Sequence, residues 1–186
     1  WDCVMPANGG KAYIVASPER AKTLSKPPVS ILGYGERHNA VFGPRAHPDP
    51  LISGIAESGK TALKMAGVAH REIDFLNLYD DYVIVILMQI EDLGFCKKGD
   101  MKFFESTDFT CLGDLPIQTG GGLTNCGQPS TTGGMVPIIE SVRQLRGEAG
   151  ERQVKDAKIG LVTGLGAVAY GRNFGCTAVA ILGNES

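Results

Sequence analysis

Three short segments of this sequence combine residue types that can move a proton or bind a carbonyl oxygen. The first is Tyr79-Asp80-Asp81-Tyr82, which supplies two phenols and two carboxylates between a strand-like and a helix-like segment. The second is Gly127-Gln128-Pro129, before another helix-like segment, and the third is Gly164-Leu165-Gly166, after a late strand-like segment. Turns of this kind at the edge of a sheet can converge on one pocket. The sequence therefore predicts one site built from these three turns.

These residues also have purely structural interpretations. Asp80 is of a type that caps helix N-termini, Tyr82 would fill the core, and the amide of Gln128 would brace its loop. Cys126, which precedes the Gly-Gln-Pro turn, either faces the pocket or packs as a small buried apolar group. The sequence alone leaves these alternatives open.

A phosphate-loop spelling, Gly-x4-Gly-Lys-Thr, occurs at residues 54–61. That loop has to follow a buried strand, whereas this one follows a proline-rich segment at residues 44–50. Apolar residues at 50–68 recur instead at helical spacing, which predicts a helix that ends near Gly67. We therefore expect no nucleotide site, and the spacing of His38, His47 and His70 predicts no metal site.

The order of the remaining patterns predicts an α/β fold, with a mixed sheet layered between helices. Apolar and β-branched runs predict strands at residues 11–16, 29–34, 73–79, 159–163 and 177–182, the last two paired with each other. A long apolar run at 83–93 predicts a helix that is buried on every side.

A further helix is predicted at residues 132–146, because apolar residues there fall on one face. The residues of this face are Met135, Ile138, Ile139, Val142 and Leu145. A glycine-rich segment at 120–129 predicts loops with unusual dihedral angles that line a site, and residues 148–158 read as a polar linker.

Composition excludes several classes of partner. The chain has 186 residues, 43% of them apolar and 20% charged, with a formal charge of −2. This composition is typical of one soluble domain, and without a Lys/Arg-rich run we expect no nucleic-acid partner. No run approaches the roughly 18 apolar residues that cross a bilayer, so we expect no membrane partner and a cytoplasmic location. The five widely spaced cysteines predict mostly buried, reduced thiols, and the start at Trp1 suggests a fragment.

Two segments carry a family resemblance. Residues 74–82, Asp-Phe-Leu-Asn-Leu-Tyr-Asp-Asp-Tyr, and 89–99, Gln-Ile-Glu-Asp-Leu-Gly-Phe-Cys-Lys-Lys-Gly, resemble the thiolase superfamily. They are most similar to the branch of the sterol carrier protein x thiolase and the lipid-transfer-protein-like acetyl-CoA acetyltransferases. Residues 120–134 lie where thiolases place a Gly-Gly segment, a Gly-His-Pro turn and a helix start. The resemblance is to a thiolase C-terminal domain and covers residues 1–186.

The resemblance implies two similar α/β halves, with the nucleophilic cysteine in an N-terminal half that this chain lacks. It implies an acyl-CoA thioester as substrate, no covalently bound cofactor, and a homodimer that includes the N-terminal half. Gln128 would take the place of the Gly-His-Pro histidine and donate to the thioester oxygen, and Gly166 would allow close backbone approach. Proton transfer falls to Asp81 or to the phenol of Tyr79 or Tyr82.

The departures from the family pattern are chemical. Degradative thiolases have Asn-Glu-Ala-Phe, and the sterol carrier branch His-Asp-Cys-Phe, where this chain has Tyr-Asp-Asp-Tyr, so Asp81 replaces an acid/base cysteine. The late Cys-x-Gly motif has no cysteine near Gly164. These departures argue against carbon–carbon bond formation by the usual thiolase route.

Three functions are consistent with the sequence. The first is a thiolase-like acyltransferase, whose acid/base and oxyanion loops this chain supplies. The second is a retro-aldolase on β-hydroxyacyl-CoA with a small zinc-ribbon and OB-fold partner protein, since tyrosines replace catalytic residues in thiolase relatives of that kind. The third is a non-catalytic acyl-CoA or lipid-binding subunit.

Overall fold

A four-stranded mixed sheet with helices on both faces forms the centre of the protein. The structure is a computed structural model that describes residues 2–38, 51–168 and 174–184. The strands are β1 (Val29–His38), β2 (Phe75–Asn77), β3 (Ile159–Val168) and β4 (Phe174–Asn184), in the order β1-β4-β3-β2. β4 is antiparallel to both of its neighbours, and β2 is parallel to β3. The predicted α/β class and the predicted pairing of the last two strands are confirmed.

Six α-helices occur in the described part of the chain. They are α1 (Pro18–Ala21), α2 (Ala56–Ala66), α3 (Val83–Asp92), α4 (Met101–Ser106), α5 (Gly122–Cys126) and α6 (Met135–Leu145). Short 3-10 helices lie at His70–Glu72, Ser130–Gly134 and Gly150–Arg152. The helical interpretation of the phosphate-loop spelling is confirmed, because α2 contains most of it and ends at Gly67 with φ of 66°.

Apolar side chains that point alternately to the two faces of β3 and β4 contribute to a hydrophobic core on each face of the sheet. Leu161 and Ile181 pack on the face that carries α2 and α3. The next residues along the chain, Val162 and Leu182, pack with Phe75 of β2 on the opposite face of the sheet. Helix α6 covers this face. Successive side chains of a strand point to opposite faces, so these two strands connect both cores.

Helix α2 lies unusually close to β1 because β1 carries glycines at the contact. A Cβ atom on Gly33 would lie 2.3 Å from the carbonyl oxygen of Ala62, and one on Gly35 would lie 2.2 Å from that of Ser58. No larger residue fits at either position.

Two strand predictions need correction. Residues 11–16 form no strand, and Ile14 and Val15 are exposed. β-branched residues form a strand only where they pair with a neighbouring strand, and this segment pairs with none of the four strands of the sheet. The strand predicted at 73–79 is shorter, since β2 ends at Asn77.

The predicted helices are present, but the buried sides of two of them differ from expectation. Helix α3 is not buried on every side, because Ile84 in its first turn is half-exposed. Helix α6 buries Glu140, Ser141 and Gln144, whereas most of the predicted apolar face is only partly buried. These polar side chains can be buried because each has hydrogen-bond partners. Ser141 accepts from Asn77 at the end of β2, and Gln144 donates to Glu140 and to the carbonyl of Arg152.

Some predictions fall outside the described residues. They include His47 and the proline-rich segment at 44–50. Within residues 2–38, 51–168 and 174–184, no helix has the length and apolar character needed to cross a membrane.

Candidate active site

The backbone of Tyr79 is fixed by two buried polar side chains of the core. The N–H of Tyr79 donates to Oγ1 of Thr163 on β3 at 2.8 Å, and its carbonyl accepts from Nε2 of Gln89 on α3 at 2.7 Å. The Thr163 hydroxyl in turn donates to Oε1 of Gln89 at 2.6 Å. These bonds satisfy groups that would be costly to bury unpaired, and they hold the end of β2 against β3 and α3.

The phenol of Tyr79 meets the amide of Gln128. Nε2 of Gln128 donates to the Tyr79 hydroxyl at 2.5 Å, although the two residues lie on turns far apart in the sequence. Gly127 makes the turn before Gln128 with φ of 82°, a conformation that side chains rarely adopt. The structure therefore places Tyr79 and Gln128 side by side at the end of the sheet.

Asp81 adds a carboxylate to this pair. Burial of the phenol, a hydrogen bond to Asp81 and the charge of that carboxylate together raise the pKa of Tyr79 far above its usual range, while the bond from Gln128 offsets part of this effect. Tyr79 therefore keeps its proton at neutral pH. Oδ1 of Asp81 is buried and has no hydrogen-bond partner among the described residues.

Asp80 has a different environment from Asp81. Its side chain is completely buried, and it accepts hydrogen bonds from the N–H of Leu123 at 2.8 Å, the N–H of Thr124 at 3.0 Å and the Thr124 hydroxyl. Asp80 thus binds the first turn of α5 from a distant part of the chain. It does not cap the helix that follows it, because the N-cap of α3 is Tyr82, without a side-chain hydrogen bond. Gly122 is required there, because a Cβ atom would lie 2.2 Å from Oδ2 of Asp80.

A second network, formed by the half-exposed Arg152 with the buried Glu140 and Thr119, supports the glycine-rich loop before α5. Arg152 donates to Oε1 of Glu140 at 2.6 Å and to the carbonyl of Thr119 at 2.9 Å. The hydroxyl of Thr119 also donates to Glu140, and the backbone of Thr119 donates to Asn77 at the end of β2. The loop is thereby tied to β2 and α6. Gly120 lies directly on Glu140, with 2.8 Å between a Cβ atom placed there and Cδ of Glu140.

Other residues singled out from the sequence lie around the Tyr79–Gln128 pair. Tyr82 does not fill the core, since its side chain is 50% exposed and its phenol lies against Cys3, which raises its pKa. Cys126 is exposed rather than buried, and it lines a small cavity of about 60 Å³ with Gly120 and Gln118. All five cysteines are free and none is fully buried, so the expectation of buried thiols was wrong.

The prediction that Gly164-Leu165-Gly166 forms a turn after a strand is wrong, because β3 continues to Val168 and these residues pair with β4. Gly166 lies on β3, three residues beyond Thr163. It faces Cys176 on β4, and a Cβ atom at this position would lie 3.1 Å from Sγ of Cys176. On β3, the side chain that binds the backbone of Tyr79 is that of Thr163.

Sequence reasoning missed Gln89, Thr163, Glu140 and Arg152, which position the site. The available signal was a polar residue within an apolar run: Gln89 interrupts the run of α3, and Thr163 ends the run of β3. A polar side chain in such a run is buried only with a partner, which in this case is the other residue of the pair.

A family model described as thiolase C-terminal domain-like matches residues 37–184. An acetyl-CoA acetyltransferase from Methanothermobacter thermautotrophicus is 31% identical over 166 residues, which cover 89% of this chain and 43% of that protein. A steroid side-chain-cleaving aldolase from Thermomonospora curvata is 33% identical over 155 residues, which cover 78% of this chain and 38% of that protein.

Among solved structures, a chain of the Ltp2-ChsH2(DUF35) aldolase superposes with a TM-score of 0.70 at 28% sequence identity. The match covers 90% of this chain and 42% of that one. The present chain therefore spans less than half the length of these relatives.

Proposed function

The chain belongs to the thiolase C-terminal domain-like family, and from this premise we propose that it supplies the acid/base groups of an enzyme that cleaves β-hydroxyacyl-CoA thioesters by a retro-aldol reaction. The observation that carries the proposal is the hydrogen bond between the amide of Gln128 and the Tyr79 phenol, beside which the Asp81 carboxylate lies close enough to raise the pKa of the phenol. A phenol in this position can pass a proton, and the amide can donate to an oxygen that becomes negative.

The proposed reaction moves one proton overall. The β-hydroxyl loses its proton, the Cα–Cβ bond breaks, and the electron pair of that bond forms the enolate of the shortened thioester. The enolate then takes a proton at Cα, so the products are an aldehyde or ketone and a shorter acyl-CoA. Each step uses a proton donor or acceptor and requires no covalent intermediate.

Each of the three side chains has one role in this reaction. Because Tyr79 stays protonated, it acts as a relay: it receives the β-hydroxyl proton while it donates its own to Asp81. The free oxygen of Asp81 leaves that carboxylate an unused acceptor site. Gln128 has two amide N–H bonds, one of which is used by Tyr79, and the other donates to the thioester oxygen as the enolate forms.

Two of the similar proteins support the choice of aldol cleavage. The relative from Thermomonospora curvata is named as a steroid side-chain-cleaving aldolase, and the solved neighbour is named as an aldolase. We further propose that a partner protein of the DUF35 type binds this protein, because the solved neighbour is named as a complex that contains one.

The decisive experiment assays the full-length protein on β-hydroxyacyl-CoA thioesters, with and without free CoA. Aldol cleavage releases a carbonyl compound and needs no free CoA, so the expected product yield is the same in both reactions. Asp81→Asn and Tyr79→Phe should each lower kcat by about 100-fold or more. Tyr34→Phe, at an exposed tyrosine on β1, is the matched control and should leave kcat unchanged.

The second candidate is acyl transfer of the thiolase type. It is supported by the acetyl-CoA acetyltransferase relative, which matches 89% of this chain. Thiolysis consumes one free CoA for each bond that is cleaved. Product formation from a β-ketoacyl-CoA that requires free CoA, together with no cleavage of the β-hydroxyacyl-CoA, would replace the aldolase proposal with this one.

A further inference from the structure

An N-terminal segment, Cys3-Val4-Met5-Pro6-Ala7, lies across both turns of the candidate site. We propose that this segment, called the strap from here on, is a positioning element: its backbone sets the distance between Asp81 and Gln128, and therefore whether the Tyr79 phenol contacts both. The inference rests on the proposed function for its effect on turnover. Its structural part is independent of which reaction occurs.

The first half of the strap binds the Tyr79–Tyr82 corner. Cys3 pairs with Tyr82 as an antiparallel β-bridge. The N–H of Val4 donates to the carbonyl oxygen of Asp81 at 3.0 Å. The backbone of Asp81 is therefore held from outside its own loop.

The second half of the strap binds both the backbone N–H and the backbone carbonyl of Gln128. The N–H of Gln128 donates to the carbonyl oxygen of Met5 at 2.9 Å, and the N–H of Ala7 donates to the carbonyl oxygen of Gln128 at 3.2 Å. Pro6 and Gln128 form a parallel β-bridge. With its backbone donor and acceptor both bound by the strap, Gln128 cannot shift along the strap without losing hydrogen bonds.

The strap also packs tightly on the turn. A Cβ atom at Gly127 would lie 2.6 Å from Cβ of Ala7 and 3.5 Å from the carbonyl oxygen of Met5. This contact offers a way to displace the strap without deleting any catalytic group. The clash that a Cβ atom at residue 127 would make can be relieved by removing the Ala7 methyl group.

These contacts matter because the corner and the turn come from distant parts of the chain. Their side chains meet at the Tyr79–Gln128 hydrogen bond, and the strap joins their backbones directly. Misplacing a catalytic group by about 1 Å can cost about 100-fold in rate. We therefore expect the strap to affect kcat by fixing the positions of Asp81 and Gln128, although the strap itself contributes no catalytic group.

The test compares Gly127→Ala with the double variant Gly127→Ala/Ala7→Gly in the full-length protein. Both variants carry the same strain at φ of 82°, so any difference between them arises from the contact with the strap. The first readout is the NMR signal of the Gln128 side-chain amide, which reports its bond to Tyr79. The second is the separation of kcat from KM.

We expect Gly127→Ala to displace the Gln128 amide signal and to lower kcat by roughly 10- to 100-fold with little change in KM. In the double variant, Ala7→Gly should return the Gln128 amide signal close to its wild-type position and restore most of the lost kcat. Ala7→Pro, which removes the N–H that Gln128 accepts, should repeat the loss. Met5→Pro, which keeps the carbonyl that binds Gln128, is its matched control and should retain the amide signal.

The outcomes separate the two proposals. If the double variant shows the same amide signal and the same kcat as Gly127→Ala, the strap does not position Gln128 and the inference is wrong. If the amide signal is lost and restored as expected but the wild-type protein cleaves no β-hydroxyacyl-CoA, positioning by the strap holds and the proposed reaction is wrong. If Gly127→Ala fails to fold, the comparison of Ala7→Pro with Met5→Pro decides in the same way.

Discussion

Replacing Tyr79 with phenylalanine tests the central interaction of the site through stability alone, without a substrate. The substitution keeps the ring and removes the hydroxyl that accepts from Gln128 and lies against Asp81. Both partners are only partly buried, so water can take over part of their bonding. We expect the free energy of unfolding at neutral pH to fall by about 1 to 2 kcal/mol.

The same substitution should change how stability depends on pH. A tyrosine in the unfolded chain loses its proton near a pKa of about 10, whereas the folded state keeps the Tyr79 proton to a higher pH. Above about pH 10 the unfolded state therefore binds fewer protons than the folded state, and the wild-type protein loses stability as pH rises. The limit is about 1.4 kcal/mol per pH unit for one proton, and screening by solvent makes the real slope shallower.

Tyr79→Phe removes this loss, so the stability difference between wild type and variant should shrink as pH rises above about 10. Urea unfolding at a series of pH values from neutral to alkaline measures both free energies. Tyr34→Phe, at a half-exposed tyrosine, controls for loss of a hydroxyl as such. A difference that stays constant or widens with pH would show that the phenol is not held in its protonated form by Asp81 and burial.

Two further predictions concern the networks that support the site. Gly122→Ala should lower the free energy of unfolding by about 3 kcal/mol, because it adds both strain at positive φ and a clash with the carboxylate that caps α5; Gly147→Ala, with a similar φ and open space around it, should cost only about 1 kcal/mol. Arg152→Met should cost about 2 kcal/mol, because it removes the cation that lies 2.6 Å from the buried Glu140 carboxylate and leaves the more distant Arg143, at 3.9 Å. Lys26→Ala at an exposed ion pair should cause no detectable loss. Thermal or urea unfolding checks both pairs of variants, and equal losses within either pair would contradict the corresponding explanation.

The sequence predicted most elements because local patterns specify them. The apolar runs of β3 and β4 and the positive φ at the glycine after α2 are local properties. The buried side of α6 could not be predicted in this way. Its apolar residues marked one face, but Glu140 and Gln144 are buried on another because Arg152 and the backbone of Val154 bind them. Polarity predicts exposure only where no partner is present.

The candidate site was predictable to a different extent. Residue types singled out Tyr79 and Asp81 as groups that can transfer a proton and Gln128 as an amide that can donate to an oxygen, and the structure brings Tyr79 and Gln128 together. The strap was not predictable, because it binds through backbone groups that every residue type possesses. Segment 11–16 shows the same limitation, since its composition favours a strand but pairing depends on a neighbour.

The two adjacent carboxylates of the corner differ in their hydrogen bonds, and under the proposed reaction this difference gives them different roles. Asp80 is completely buried and accepts three hydrogen bonds from the first turn of α5, so its side chain holds the start of that helix in place. Asp81 contacts the Tyr79 phenol and keeps one buried oxygen without a partner among the described residues. A carboxylate that receives a proton must have an acceptor site to spare and a donor beside it. Asp81 meets both conditions, so in the proposed reaction Asp81→Asn should lower kcat by about 100-fold or more, while Asp80→Asn should act on the structure of the glycine-rich loop.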